Sequence, residues 1–383
     1  MPRPPGLAPI PLSLMGAVYS TVLDRLARHA GEVYPLHVGD TFLEPAEGCR
    51  MEDLAAAEHA GLHRYAPPQG HPPLLDALVS RLRTRTGVPL ERSNVFVCGG
   101  ATSGLACVVG AIVAPGDEVL ILAPHWPLID GHVRMAGGVP VAVPFFGVAV
   151  SPESAAAAVE AAVSPRAVAL YVNTPSNPTG RVLPRAWLEA LVSVARRHDL
   201  WLVFDEVYEE YAYRGEHVPG LSLAPERSFA VHSFSKAYGM AGNRVGWVAG
   251  PAAPVAEALK LSTHTVYSAP TAAQVAALRV LRGPGAAWVE RTRAAYRELG
   301  EAAADRLGVE RPEGSTFLFL DVSARLDARG LAGFLEDAAD RGLAVAPGPS
   351  FGPYPGHVRV CYTSAPPPLV RRGIEVLATL LGR

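Results

Sequence analysis

From about residue 94 onward, short continuous apolar runs alternate with longer stretches in which apolar residues recur every third or fourth position. The runs NVFVC, EVLIL, PVAVPF, AVALYVN and LWLVFDE predict strands buried on both faces, because such strands need no polar alternation. Stretches such as PRAWLEALVSVARRHD have helical spacing. Strand and helix in turn predict an α/β fold: a mostly parallel central sheet flanked by helices. Two further runs, SFAVHSF and RVGWVAG, extend the sheet.

The pattern changes at both ends of this region. Pro2, Pro4, Pro5, Pro9 and Pro11 forbid regular structure over the first dozen residues and predict an arm, followed by a helix over Val18–Ala30. After residue 283 comes a long charged helix, AAWVERTRAAYRELGEAAADRLG. The run STFLFLDV, a helix, GLAVAPG, HVRVCYTS and a last helix follow. This order predicts a smaller α+β domain. The expected division is residues 1–45 as arm and part of the small domain, 46–282 as the large domain, and 283–383 as the C-terminal small domain.

Composition narrows the function. The 383 residues carry a net charge of −2 with no block of like charge, which argues against a nucleic-acid groove or a membrane-binding basic face. Cys49, Cys98, Cys107 and Cys361 are far apart and form no CxxC pair, which favours reduced thiols in a cytoplasmic protein over disulfides or a zinc site. The longest apolar runs, such as LACVVGAIVA, are too short to span a bilayer, and the proline-broken start has no secretion-signal core. Of 34 basic residues only Lys236 and Lys260 are lysines. An arginine cannot serve as an amine nucleophile, so the surviving lysines draw attention. Lys260 lies in the ordinary helical pattern PVAEALKLSTH. Lys236 lies in HSFSKAYGMAGNRVGW, beside the hydroxyls of Ser233 and Ser235 and eight residues before Arg244. That set suits a cofactor bearing an aldehyde and a phosphate.

In open α/β sheets, ligands sit beyond the carboxyl ends of the strands, and five predicted strand ends carry polar or aromatic groups. Gly100, Ala101 and Thr102 follow NVFVC and open a helix, whose N–H groups can make a phosphate seat, an ordinary turn being the alternative. Ser233 and Arg244 would add a hydroxyl and a bidentate cation to it. Asp205 ends an apolar strand, where a carboxylate needs a positive partner such as a protonated pyridine nitrogen; a helix cap is the alternative. A metal is disfavoured, since no cluster of ligating residues lies at ligand spacing. Asn177, in NPTG, and Tyr208 can each donate to a phenolate oxygen. Trp126 can stack on a flat ring or fill a core. Arg359, inside the run HVRVCYTS, needs an anion, either a substrate carboxylate or a structural partner.

NPTG, DEVY and SFSKAYGMAGNRVGW, in this order and spacing, resemble the class I/II pyridoxal-phosphate-dependent aminotransferases of fold type I, from Gly39 to Arg359. The resemblance implies pyridoxal 5'-phosphate held by Lys236 as a Schiff base, with catalysis shared among Lys236, Asp205 and Tyr208. It implies that Asp205 meets the pyridine nitrogen and that Asn177 and Tyr208 contact the ring oxygen. Gly100, Ala101, Thr102, Ser233, Ser235 and Arg244 would hold the phosphate, and Trp126 would stack on the ring. Arg359 and the backbone of Gly39, with Trp126 and Asn177, would receive the substrate. Tyr65, in YAPPQG, resembles the tyrosine that reaches the phosphate of a neighbouring subunit, so a homodimer with shared sites is implied.

Two departures bear on specificity. The family often has Gly-Asp/Glu-Pro where this chain has Gly39-Asp40-Thr41, and Lys-Gln-Ala-Leu where this chain has Thr102-Ser103-Gly104-Leu105. The second removes a long cation from the mouth of the site. With uncharged Leu14, Met15, Gly16 and Val18 near the expected pocket, a neutral or apolar amino acid is the expected donor. A lyase, decarboxylase or cyclase using the same cofactor is the alternative. A DNA-binding regulator is disfavoured, since no helix-turn-helix pattern and no basic excess precede Gly39.

Overall fold

A computed structural model describes residues 10, 18–55 and 57–383; the expected proline-broken arm, Ile10 excepted, and Leu14, Met15 and Gly16 lie outside them. The helix expected from residue 18 spans Val18–Arg28. After it, Tyr34–Pro35 form a two-residue strand, β1. Seven strands then follow: Val95–Cys98 (β2), Glu118–Ala123 (β3), Val139–Pro144 (β4), Ala167–Asn173 (β5), Trp201–Asp205 (β6), Ser228–Ser233 (β7) and Gly246–Ala249 (β8). They form one sheet in the order β2-β8-β7-β6-β5-β3-β4.

Strands β3 to β7 run parallel, while β8 is antiparallel to both β7 and β2. Every residue of β2, β3, β7 and β8 is buried, the physical reason that these runs lack polar alternation. The edge strand β4 differs. It is largely solvent-facing and contains Pro140 and Pro144, which an interior strand would not tolerate. Helices including Ala101–Ile112, Arg185–Arg197 and Ala252–Thr265 cover the sheet. The parallel register of β5 and β6 aligns their ends, Asn173 pairing with Asp205, and in the antiparallel β7–β8 pair Ser233 meets Gly246.

The C-terminal region adds Phe317–Asp321 (β9), Leu343–Ala344 (β10), Ala346–Pro347 (β11) and His357–Cys361 (β12). Strands β11, β12 and β9 form an antiparallel sheet, and β1 pairs in parallel with β10. The run GLAVAPG breaks at Val345 into two strands with different partners. One buried core unites Val22, Leu26 and Leu36 with Tyr296, Leu307, Phe317, Val358 and Leu377. The long helix Gly285–Leu307 contributes to two cores: Trp288 and Val289 pack with Leu78, Trp247 and Ala276, whereas Tyr296 through Leu307 pack with the C-terminal strands. Among the described residues no helix is long and apolar enough to cross a membrane.

Candidate active site

The ends of β5, β6 and β7 meet the start of helix Ala101–Ile112 and the residues of β11 and β12 around a cavity of about 290 Å³. Of the residues singled out above, Gly39, Ala101, Thr102, Trp126, Asn177, Asp205, Tyr208, Ser233, Ser235, Lys236, Arg244 and Arg359 line it.

Lys236 sits on the single helical turn Phe234–Ala237. The Ser233 hydroxyl caps that turn by accepting from the Ser235 N–H at 3.0 Å. The Lys236 ammonium donates to the carbonyl of Gly39. Burial pushes its pKa down from the usual lysine value, and Arg359 and Arg244 push the same way against Asp40. A buried amine with a depressed pKa can lose its proton and act as nucleophile or base.

Asp205 is 3% exposed at the end of β6. Burial raises its pKa to about 6, opposed by hydrogen bonds from the Tyr171 hydroxyl and the Val207 N–H. A cationic group arriving in the cavity would hold this carboxylate ionised, so the site fits a protonated ring nitrogen.

At one end of the cavity, Gly100 caps helix Ala101–Ile112 with φ +85°. A Cβ there would lie 2.5 Å from the Arg244 Nη2, so only glycine lets the guanidinium pack onto the helix start. Gly100 itself stands behind Arg244 rather than among the lining residues. Arg244 has a left-handed backbone, φ +55°, and donates to the carbonyls of Ala241 at 2.8 Å and Gly99 at 3.2 Å. A guanidinium, two serine hydroxyls and a helix N-terminus together fit a phosphate.

At the other end, Arg359 is buried in β12. Its guanidinium donates to the Asn177 Oδ1 at 3.0 Å and the His37 carbonyl at 2.6 Å, and it lies 4.3 Å from the Phe317 ring centre and 4.7 Å from that of Phe351. Because Arg359 engages the Asn177 oxygen, the amide NH₂ is the part left to donate. Tyr208, 3% exposed, stands edge-on to Phe317 at 5.6 Å, and burial raises its pKa well above the usual phenol value.

Tyr65 is not brought to this cavity. Its ring is 84% exposed and meets Tyr267 edge-on at 5.0 Å. The structure adds residues that the sequence pattern did not single out. His37, Ser350 and Phe351 line the cavity, and burial, helped by Arg359, lowers the His37 pKa to about 4. Asn173 accepts from the Asn177 N–H at 2.6 Å, which shapes the NPTG turn. The fold also gathers ligating atoms of Glu206, Glu209 and His232 within 4.8 Å, a cluster invisible in the linear spacing. Arg81 and Arg85 already pair with the Glu209 oxygens at 3.3 Å and 2.5 Å. Burial would raise the Glu209 pKa, but His232, Arg85 and Arg81 hold it well below the usual range. That carboxylate is neutralised by the protein's own cations, and no metal is assigned to it.

Residues 35–377 match the model of the family described as aminotransferase class I and II. The chain is 36% identical to an aspartate/prephenate aminotransferase of Thermus thermophilus, covering 94% of this chain and 93% of that one. It is also 36% identical to an arginine–pyruvate transaminase of Pseudomonas aeruginosa, covering 92% of each. Among solved structures, the Thermus thermophilus aspartate aminotransferase with maleate superposes with a TM-score of 0.88 at 33% identity, covering 99% of this chain and all of that one.

Proposed function

We propose, for a chain that belongs to the class I and II aminotransferases and so transfers amino groups with pyridoxal 5'-phosphate, that its donor is an amino acid with a neutral or apolar side chain and its acceptor a 2-oxo acid. The observation that carries this reading is the convergence of Lys236, Asp205, Arg244 and Arg359 on one cavity. Among the described residues, Arg244 and Arg359 are the only arginines lining it, one for each of two anions, and residues 11–17 contain no basic residue. Val38, Leu105 and Phe351 give the remaining wall an apolar character. The two relatives are named for donors of opposite side-chain charge, so their names do not set the pocket's preference. Both names describe amino transfer, which favours it over elimination, decarboxylation or cyclisation.

Bound pyridoxal phosphate supplies an electron sink for the pair left when a substrate Cα–H bond is broken. The protein's residues do the rest. Lys236 would anchor the cofactor aldehyde, and once an incoming substrate amine has displaced it, its freed amine, with a pKa depressed by burial, would take up the Cα proton and give it back. Asp205 would keep a proton on the ring nitrogen. Asn177 and Tyr208 would be the donors to the ring oxygen, and Trp126 the residue against the ring. The N–H groups at Ala101 and Thr102, the Ser233 and Ser235 hydroxyls and Arg244 bind the phosphate. Arg359 binds the α-carboxylate as a planar fork held between Phe317 and Phe351, and the backbone of Gly39 closes that side.

Three further assignments belong to this reading. The protein is a homodimer in which Tyr65 completes its partner's site, supported by the exposure of Tyr65, Val266 and Tyr267. It resides in the cytoplasm, supported by four buried free cysteines. Residues 46–282 form the large domain, and the flanking segments form the small one, supported by the shared core of residues 22–36 with the C-terminal strands.

The test is to add pyridoxal phosphate to the purified protein and follow visible absorbance. A band that borohydride bleaches, with the added mass mapped to Lys236, is expected. Lys236→Ala should lower turnover by at least about 10³-fold. An active alanine variant would sink the assignment. A panel of amino donors then tests the pocket, and aspartate or glutamate as best donor would contradict it.

A further inference from the structure

We propose that Tyr171 is a positioning residue whose phenol fixes the Asp205 carboxylate that meets the cofactor's ring nitrogen; this rests on the reading of Asp205 given above. Tyr171 lies in β5 opposite Val203 of β6, and Asp205 is the next residue of β6 on the same face. The phenol reaches diagonally and donates to Asp205 Oδ2 at 2.6 Å, while the Val207 N–H donates to Oδ1 at 3.3 Å. Tyr171 and Asp205 are 1% and 3% exposed, so water does not compete for either group. In the run AVALYVN the residues directly beside Tyr171, Leu170 and Val172, are apolar. A phenylalanine would fill that core equally well, and the hydroxyl is therefore the part that calls for a function.

That function is twofold. Two donors on different oxygens hold the carboxylate plane in one orientation. The phenol also opposes the effect of burial, which drives the Asp205 pKa to about 6. Burial raises the pKa of Tyr171 well above the usual phenol value, so it remains a donor throughout the working range. The other groups acting on this pair are Glu206 and Tyr208 just after β6, His232 from β7, and Asp130 from helix Leu128–Met135. Removing the phenol leaves Glu206 and burial to raise the Asp205 pKa further, so that its proton is retained at higher pH.

The experiment measures pyridoxal phosphate affinity of the apoprotein by absorbance titration between pH 6 and 8.5. It compares wild type, Y171F, D205N and the double variant. Y171F is expected to bind about 10- to 100-fold more weakly at pH 7. The gap should narrow toward pH 8.5, as Asp205 ionises in both proteins. In the D205N background the same change should add less than about 3-fold. An affinity for Y171F within about 3-fold of wild type at every pH, or an equal loss with and without D205N, would overturn the proposal. Tyr171→Gln, which keeps an N–H donor, runs through the same cycle and decides the matter if Y171F does not fold. It should lose about 3- to 10-fold, only while Asp205 is present; a loss independent of D205N overturns the proposal. A wild-type protein that fails to bind pyridoxal phosphate at all would overturn the cofactor reading itself, an outcome distinct from either variant result.

Discussion

At the end of the cavity proposed for the phosphate, Arg244 is exposed, leaves the chain in a left-handed conformation and donates to two backbone carbonyls. At the opposite end, Arg359 is buried within a strand, donates to an amide and a carbonyl, and lies between two aromatic rings. The two arginines have the same chemistry in different dielectric surroundings. Solvent and salt screen the first, so its anion must also be held by hydroxyls and a helix start. The second acts where water is sparse, and its anion binds mainly to it. On the proposed reading, the phosphate end would lose one contact and keep its ligand, whereas the carboxylate end would rely on one charged side chain.

Arg359→Leu should give the largest effect. Loss of kcat/KM is expected at about 10²- to 10³-fold, with cofactor affinity changed by less than about 3-fold, measured by steady-state kinetics beside a cofactor titration. Equal losses in both would break the distinction between the two ends. Asp205→Asn comes next and is read on the apoprotein. A carboxyl whose pKa rises on folding stabilises the fold below its usual value of 3.8, and that contribution is lost as pH climbs through about 6. The asparagine variant should therefore melt above wild type at pH 7.5, by about 3 kcal/mol of stability, with the difference fading toward pH 4. Calorimetry across that range checks it; a variant less stable than wild type at pH 7.5 would contradict the burial argument. Arg244→Gln should weaken cofactor binding about 10-fold at low salt and less in high salt, with the amino-acid KM little changed once cofactor saturates. Salt-independent loss would mean that this end is less open than the geometry implies. Gly100→Ala is the mildest. Its positive φ and the close approach of Arg244 should lower stability by about 1–2 kcal/mol, read as a drop in melting temperature.

The same contrast explains what could be read from the sequence. Strands β2, β3 and β5 to β8 were legible because burial on both faces writes an unbroken apolar run, and the edge strand β4 because its run PVAVPF is apolar although largely solvent-facing. Lys236, Asp205 and Asn177 stood out because each ends such a run or follows one within a few residues, and Arg244 because it opens the next run. Strand direction was not: RVGWVAG is as apolar as its parallel neighbours, yet β8 runs opposite to them. Two-residue strands such as β1 and β10 are too short for any periodicity to declare. Tyr171 looked like core because its partner lies 34 positions away, across a strand pair. Glu206, Glu209 and His232 come together only once β6 and β7 are side by side. His37 and Phe351 reach the cavity from the C-terminal sheet and the segment packed on it, whose docking no local pattern encodes.

The helix Gly285–Leu307 ties these regions together. A rod of 23 residues is about 34 Å long, and this one is rooted in a different core at each end. It acts as a crossbeam. The layer carrying Arg359 cannot drift off the layer carrying Arg244 without pulling Trp288 or Tyr296 from its socket, so the span between the two proposed anion seats is braced by a girder that touches neither.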